Sequence, residues 1–214
     1  MTQVLAINPL SPDPDILAQA GDILRRGGLV AYPTETVYGL AASAFDDTAI
    51  ARVFDAKGRP HGQPLPVQIA SAEEVETLAQ DISAAARTLL AAFFPGPLTL
   101  VFRRQPAVSL TITGGGETVG LRMPDHPVAL GVLQAFGGPL VCPSANLTGR
   151  RAAMSAADVL EDLDGRIDLV LDGGPTTDRT PSTVLDVSAQ PARMIREGKI
   201  SRAQLGVYLE LARP

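Results

Sequence analysis

Five short polar segments break up the apolar runs of this chain, and their residue types suit the handling of anions. The first is Tyr32-Pro33-Thr34-Glu35-Thr36-Val37-Tyr38-Gly39, a proline-led turn with hydroxyls and one carboxylate. It fits the lining of a polar small-molecule site, or equally a plain strand-to-helix connection with Thr as the cap. The second is Lys57-Gly58-Arg59-Pro60-His61-Gly62-Gln63-Pro64. Lysine as a point charge and arginine as a planar fork can clamp phosphates. Basic charge at a helix C-terminus, followed by a glycine cap, is the simpler reading. Lys57 and Lys199 are the only lysines among 18 basic residues, so a lysine inside a motif stands out.

The third segment, Arg122-Met123-Pro124, places an arginine at the end of an apolar run, where it suits a carboxylate or a surface ion pair. The fourth, Pro143-Ser144-Ala145-Asn146, offers a hydroxyl and an amide to one ligand, or forms a simple turn. The fifth combines Asp172-Gly173-Gly174-Pro175, Pro181-Ser182-Thr183 and Arg196-Glu197-Gly198. Its glycines permit close backbone approach, Ser182 can donate and Arg196 can pair with an anion. Phosphate-loop, dinucleotide and metalloprotease motifs are absent, and His61 and His126 are the only histidines. The chemistry implied is positioning and charge neutralisation, as in phosphoryl or nucleotidyl transfer, with no protein-built metal cage. Cys142 reads as a small core residue, and the acidic series Asp158, Glu161, Asp162, Asp164 and Asp168 as a solvated face.

These groups need elements to hold them. Strand-like runs are Leu29–Pro33, Leu65–Ile69, Leu98–Phe102, Val119–Met123, Leu140–Cys142, Leu169–Leu171, Thr183–Val187 and Arg193–Ile195. Helices are expected to begin near Asp13, Asp46, Ser71, Pro127, Ser155 and Ser201, with capping boxes at Ser71/Glu74, Ser155/Asp158 and Ser201/Gln204. Strands interleaved with short helices predict an α/β domain. The last strands follow one another without a helix, so part of the sheet is expected to be antiparallel. Residues 103–118, with three consecutive glycines, read as a mobile loop, and one domain over 1–214 is expected.

Composition narrows the classes further. The 214 residues are 45% hydrophobic and 19% charged, a globular balance with enough chain for a substantial core. Aromatics are only 4% with no Trp, which leaves few platforms for stacking nucleobases. Net charge is −5, against the basic character of a protein that binds RNA or DNA mainly by electrostatics. One cysteine, no visible signal peptide and no long apolar span predict a reducing, cytoplasmic setting away from membranes.

The blocks GLVAYPTETVYGL, KGRPHGQPL, FFPGPLTLVF, GLRMPDHP, PSANLTG, LDGGP, PSTVLD and IREGKIS resemble the YrdC/Sua5 family, the L-threonylcarbamoyladenylate synthases, from about residue 27 to 201. The resemblance implies a single α/β domain whose large twisted mixed sheet, flanked by helices, lines a concave basic cavity. It implies synthesis of L-threonylcarbamoyladenylate from L-threonine, bicarbonate or CO2, and ATP, with release of pyrophosphate. Mg2+ would enter with ATP. The product would pass to a tRNA threonylcarbamoyltransferase complex that makes N6-threonylcarbamoyladenosine at position 37. Carried over residue by residue, Lys57, Arg59, Ser144 and Asn146 match the nucleotide signature. Thr34, Arg122 and Ser182 match threonine positions, with Arg122 on the carboxylate, and Arg196 matches a position at the ATP phosphates. His61 and Gln63 fall in a variable loop. Pro181 replaces the glutamate many relatives carry, and the length suggests the short form of the family. Two rivals stay open: an RNA-binding module using the same cavity, and a hydrolase with Ser144 as nucleophile and Lys57 as base.

Overall fold

The computed structural model describes residues 1–176 and 180–213. In chain order the elements begin β1 (Gln3–Ala6), α1 (Pro14–Arg25), β2 (Val30–Tyr32), β3 (Gly39–Ser43), α2 (Asp47–Lys57), β4 (Val67–Gln68), α3 (Glu74–Leu78) and β5 (Ala79–Gln80). They continue α4 (Ala84–Phe93), β6 (Leu98–Arg104), α5 (Leu110–Thr113), β7 (Thr118–Arg122) and α6 (Pro127–Phe136). The last are β8 (Leu140–Val141), α7 (Ala156–Leu163), β9 (Leu169–Asp172), β10 (Thr183–Asp186), β11 (Arg193–Arg196) and α8 (Arg202–Leu205).

The strands pair in the order β1-β9-β2-β3-β8-β4-β7-β6-β10-β11, with β5 added on β6. The sheet is mixed as expected: β9 is parallel to β1 and β2, whereas β3, β8 and β4 alternate in direction. Period-two alternation divides the core into two aliphatic layers. Ala31, Leu40, Val141 and Val170 join one layer, with Ile50 and Val53 of α2, Leu89 of α4 and Val159 of α7. Val30, Tyr32, Ala41, Leu140 and Leu169 join the other, with Leu24 of α1 and Val132 and Leu133 of α6. Each fully buried aliphatic side chain contributes about 1.5–3 kcal/mol, so the layers rather than the exposed ion pairs hold the fold. The α1 and α6 helices touch closely at glycine, since a Cβ on Gly21 would meet the Ala135 carbonyl oxygen at 2.8 Å.

Local signals set most boundaries. Asp46 caps α2 through the Thr48 and Ala49 amides, and Gly58, with φ of 55°, ends it. The capping boxes at Ser155 and Ser201 both form. That at Ser71 does not: α3 starts at Glu74 without a side-chain cap, and Glu74 instead accepts from the Ala70 amide. The expected loop at 103–118 is also corrected. It holds the end of β6 and the short helix α5, because buried Val108 and Ile112 anchor it and the Leu65 amide donates to the Ile112 carbonyl. The Tyr32–Gly39 segment joins two antiparallel strands, β2 and β3, not a strand and a helix.

Candidate functional site

Turn chemistry shapes the first wall of the site. The Thr34 hydroxyl accepts from the Thr36 and Val37 amides and donates to the Val37 carbonyl at 2.7 Å, folding the β2–β3 connection onto itself. That fold presents Glu35 and Thr36 to Arg122 at the end of β7. Arg122 Nη2 donates to Glu35 Oε1 at 2.6 Å and to Thr36 Oγ1 at 3.1 Å, while Nε donates to the Gly96 carbonyl. Both partners of the ion pair are well covered, with side-chain exposures of 10% and 16%. Glu35 Oε2 is buried with no partner among the described residues.

A second wall comes from β6, β10 and β11. Ser182, just before β10, shares a 3.1 Å hydrogen bond with Thr99 of β6. Arg196, the last residue of β11, reaches back through Nε and Nη2 to the Ser182 carbonyl and through Nη2 to its hydroxyl. Burial lowers the Arg196 pKa, and the neighbouring positive charge of Arg122 lowers it further, which places the two guanidinium groups within each other's field.

The third wall joins α2 to the turn after β8. Lys57 is buried, and its ammonium donates to the carbonyl of Ser144 at 2.5 Å and to that of Asn146 at 2.6 Å. Burial, then the charge of Arg59, pulls its pKa down to about 8. Lys57 therefore fastens the Ser-Ala-Asn turn through backbone oxygens. Among the described residues it makes no bond to the Ser144 hydroxyl, the contact a Ser-Lys hydrolase needs. Arg59 donates to the Pro64 carbonyl, which closes the loop after α2. Asn146 Nδ2 donates to the carbonyls of Leu147 and Arg150, and its Oδ1 is buried without a partner among the described residues. Beside this turn lies a groove of about 570 Å³ lined by Arg150, Arg151, Met154, Ser155, Asp158 and Thr176, among others. None of the sequence-predicted site residues lines it, and its link to the site runs through Asn146.

Two of the three walls meet through direct bonds or charge, as Thr34, Arg122, Ser182 and Arg196 show. Burial raises the thiol of Cys142 to about 11, and the Tyr32 hydrogen bond with the charges of Arg122 and Lys57 offsets this only in part. Both cations therefore lie near that sulfur, between the third wall and the first. Sequence reasoning passed over Thr99, and it placed Thr36 and the Glu35 carboxylate in a turn fit to line a site without identifying their partners. Glu35 lay in a flagged motif, but nothing in its spacing pointed to Arg122. His61 stacks on Phe54 at 4.8 Å and is largely exposed.

The profile of the Sua5, YciO and YrdC proteins, described as "Telomere recombination", matches residues 22–198. The chain belongs to this family. A threonylcarbamoyl-AMP synthase of Pyrococcus abyssi is 46% identical over 179 residues, covering 84% of this chain and 53% of the relative. One of Bacillus subtilis is 45% identical over 194 residues, covering 90% of this chain and 56% of the relative. The solved structure of P. abyssi Sua5 complexed with L-threonine superposes with a TM-score of 0.94 at 39% identity, covering 99% of this chain and 63% of that one. The chain thus spans about half the length of these curated relatives. The Sua5/YrdC fold accounts for the mixed sheet and its flanking helices. No helix among the described residues is long and apolar enough to cross a membrane.

Proposed function

We propose that this chain is a threonylcarbamoyl-AMP synthase, a nucleotidyltransferase that joins L-threonine, CO2 or bicarbonate, and ATP with release of pyrophosphate. The observation that carries the reading is the network that joins Thr34 through Thr36 to Arg122, and Arg122 through its charge to Arg196 and Ser182. A family relative was solved with L-threonine, and the curated relatives carry the synthase name.

In the proposed sequence the threonine carboxylate sits on Arg122, with the hydroxyls of Thr34 and Ser182 alongside. The amine nitrogen attacks CO2 and loses a proton to give a carbamate. A carbamate oxygen then attacks the α-phosphorus of ATP, and pyrophosphate leaves with the electron pair of the broken P–O bond. Lys57, Arg59 and Arg196 offset the charge that develops on the phosphates, and Ser144 and Asn146 position the nucleotide. Mg2+ enters as part of the nucleotide substrate. Among the described residues no cluster of three His, Cys, Asp or Glu side chains offers a cage for it. The product, an activated acyl-adenylate, suits a tRNA threonylcarbamoyltransferase complex in the cytoplasm.

The test is product analysis after incubation with ATP, labelled bicarbonate and L-threonine. Labelled threonylcarbamoyl-adenylate, with pyrophosphate release dependent on both threonine and bicarbonate, is the expected result. Equal turnover without either would leave a simple nucleotidase.

A further inference from the structure

We infer that Glu35 recognises the substrate's α-amino group, its free carboxylate oxygen accepting a hydrogen bond from the amine while Arg122 takes the carboxylate. The inference rests on the proposed function, which supplies an amino acid as the ligand of this network, and it adds the residue that reads the amine.

Three observations support it. Glu35 Oε1 is satisfied by Arg122 at 2.6 Å, yet Oε2 is buried and meets no donor among the described residues. A buried carboxylate oxygen left bare is unfavourable, and a native site tolerates it where a ligand supplies the missing donor. The neighbouring hydroxyls are already committed. The Thr36 hydroxyl pairs with Arg122 and Thr34, and the Thr34 hydroxyl pairs with the Val37 carbonyl. His126 Nδ1 accepts from the Val128 amide as the cap of α6, and the N–H left on Nε2 makes no bond to Glu35 Oε2. Finally, the Arg122 bonds to described residues run from Nε and Nη2, which leaves Nη1 for a ligand.

An α-amino acid carries an acceptor carboxylate and a donor amine on one carbon. Arg122 and Glu35, joined by the single Nη2–Oε1 bond, present the complementary donor and acceptor. The fit holds for the ammonium form that arrives and for the neutral amine that reacts, because both retain an N–H to donate. Glu35 is therefore a binding and specificity residue, and no proton transfer is assigned to it. A site built to bond a substrate N–H should discriminate strongly against the analogue that lacks it.

The test compares calorimetric binding of L-threonine and of (R)-3-hydroxybutyrate, the same acid with a hydrogen in place of the amine, so that no donor remains at that carbon. The parent protein is expected to prefer threonine by at least about 10-fold. In Glu35→Gln the preference should shrink to within about 3-fold, with affinity for the hydroxy acid held or improved. Glu35→Asp, which keeps the charge but shortens the reach, should fall between. Circular dichroism checks that each variant is folded. If Glu35→Gln is unfolded, the parent's preference and the Asp variant decide. A parent that binds both acids alike, or a folded Glu35→Gln that keeps the full preference, would overturn the role of Glu35. Failure of the underlying function looks different: parent protein that binds no threonine and releases pyrophosphate without it removes both readings together.

Discussion

Gly39 opens β3 directly against Cys142, so that a methyl on the glycine would lie closer than 3.0 Å to the cysteine sulfur. The contact sits one pairing away from the working turn, because Gly39 also bridges to Ser144. The Leu40 amide donates to the Pro143 carbonyl, and the Ala145 amide to that of Tyr38. These backbone bonds hold the Ser-Ala-Asn turn against the β2–β3 connection, with the thiol packed over Gly39.

Gly39→Ala should therefore destabilise the fold by about 1–3 kcal/mol through overpacking. In a chain this size each kcal/mol lowers Tm by roughly 2–4 °C. Cys142→Ala in the same chain should restore part of the loss, giving a coupling of about 0.5 kcal/mol or more in a double-mutant cycle. Strict additivity of the two changes would show that the glycine is needed for some other reason.

Arg122→Lys keeps the charge but loses the planar fork that spans Gly96, Glu35 and Thr36. The threonine KM is expected to rise roughly 10- to 150-fold, equivalent to about 1.4–3 kcal/mol, while the ATP KM moves far less. Steady-state kinetics with each substrate varied in turn checks this. A defect confined to ATP would assign Arg122 to the nucleotide instead.

Lys57 makes the site sensitive to alkaline pH. Its folded pKa of about 8 lies below its ordinary 10.5, so between those values the folded chain binds fewer protons than the unfolded one. This group therefore makes stability climb as pH rises through that window, by on the order of 2 kcal/mol from pH 8 to 10. Nucleotide affinity should move the opposite way, weakening above about pH 8 as the ammonium discharges. Urea unfolding and ATP binding, each followed from pH 7 to 10, separate the two trends. Lys57→Met should abolish both, and a parent-like pH profile in that variant would reject the assignment.

Ser144→Ala distinguishes positioning from covalent catalysis by magnitude. Loss of one hydrogen bond predicts about 10- to 150-fold slower product formation. Removal of a nucleophile would leave only background turnover. Because Lys57 grips the Ser144 carbonyl, a backbone atom that the substitution keeps, the turn should persist. Lys57→Ala, which releases the turn and removes the charge, should be at least as damaging.

How much the sequence disclosed depended on the range of each signal. Asp46, Gly58, Ser155 and Ser201 act on amides or turns within a few residues, so α2, α7 and α8 could be read from them. The apolar runs marked β2, β6, β7 and β10 for the same reason. The helix α4 was missed although Ser83 caps it by accepting from the Ala86 amide, because its alanine-rich start resembles no strong period. Strand β1 was missed because it is mostly exposed and extended only by its pairing with β9. At the site, motif residues were legible but their partners were not. Arg122 to Glu35 spans 87 positions and Thr99 to Ser182 spans 83, separations that no local pattern encodes.

The pairing of β1 with β9 also governs when this molecule can be finished. Gln3 lies beside Leu169, and β9 in turn is the strand that carries β2. At ordinary elongation rates of about 5–20 residues per second, residues 3–6 emerge from the ribosome roughly 10–30 s before their partners. Through that interval β1 has exposed strand edges and β2 lacks a neighbour on one side. The amphipathic helix α1 can form early from local caps, whereas closure of the β1-β9-β2 edge waits for most of the chain. A ribosome stalled before codon 169 should therefore hold a nascent chain that remains protease-sensitive at its start, and release past codon 172 should protect it.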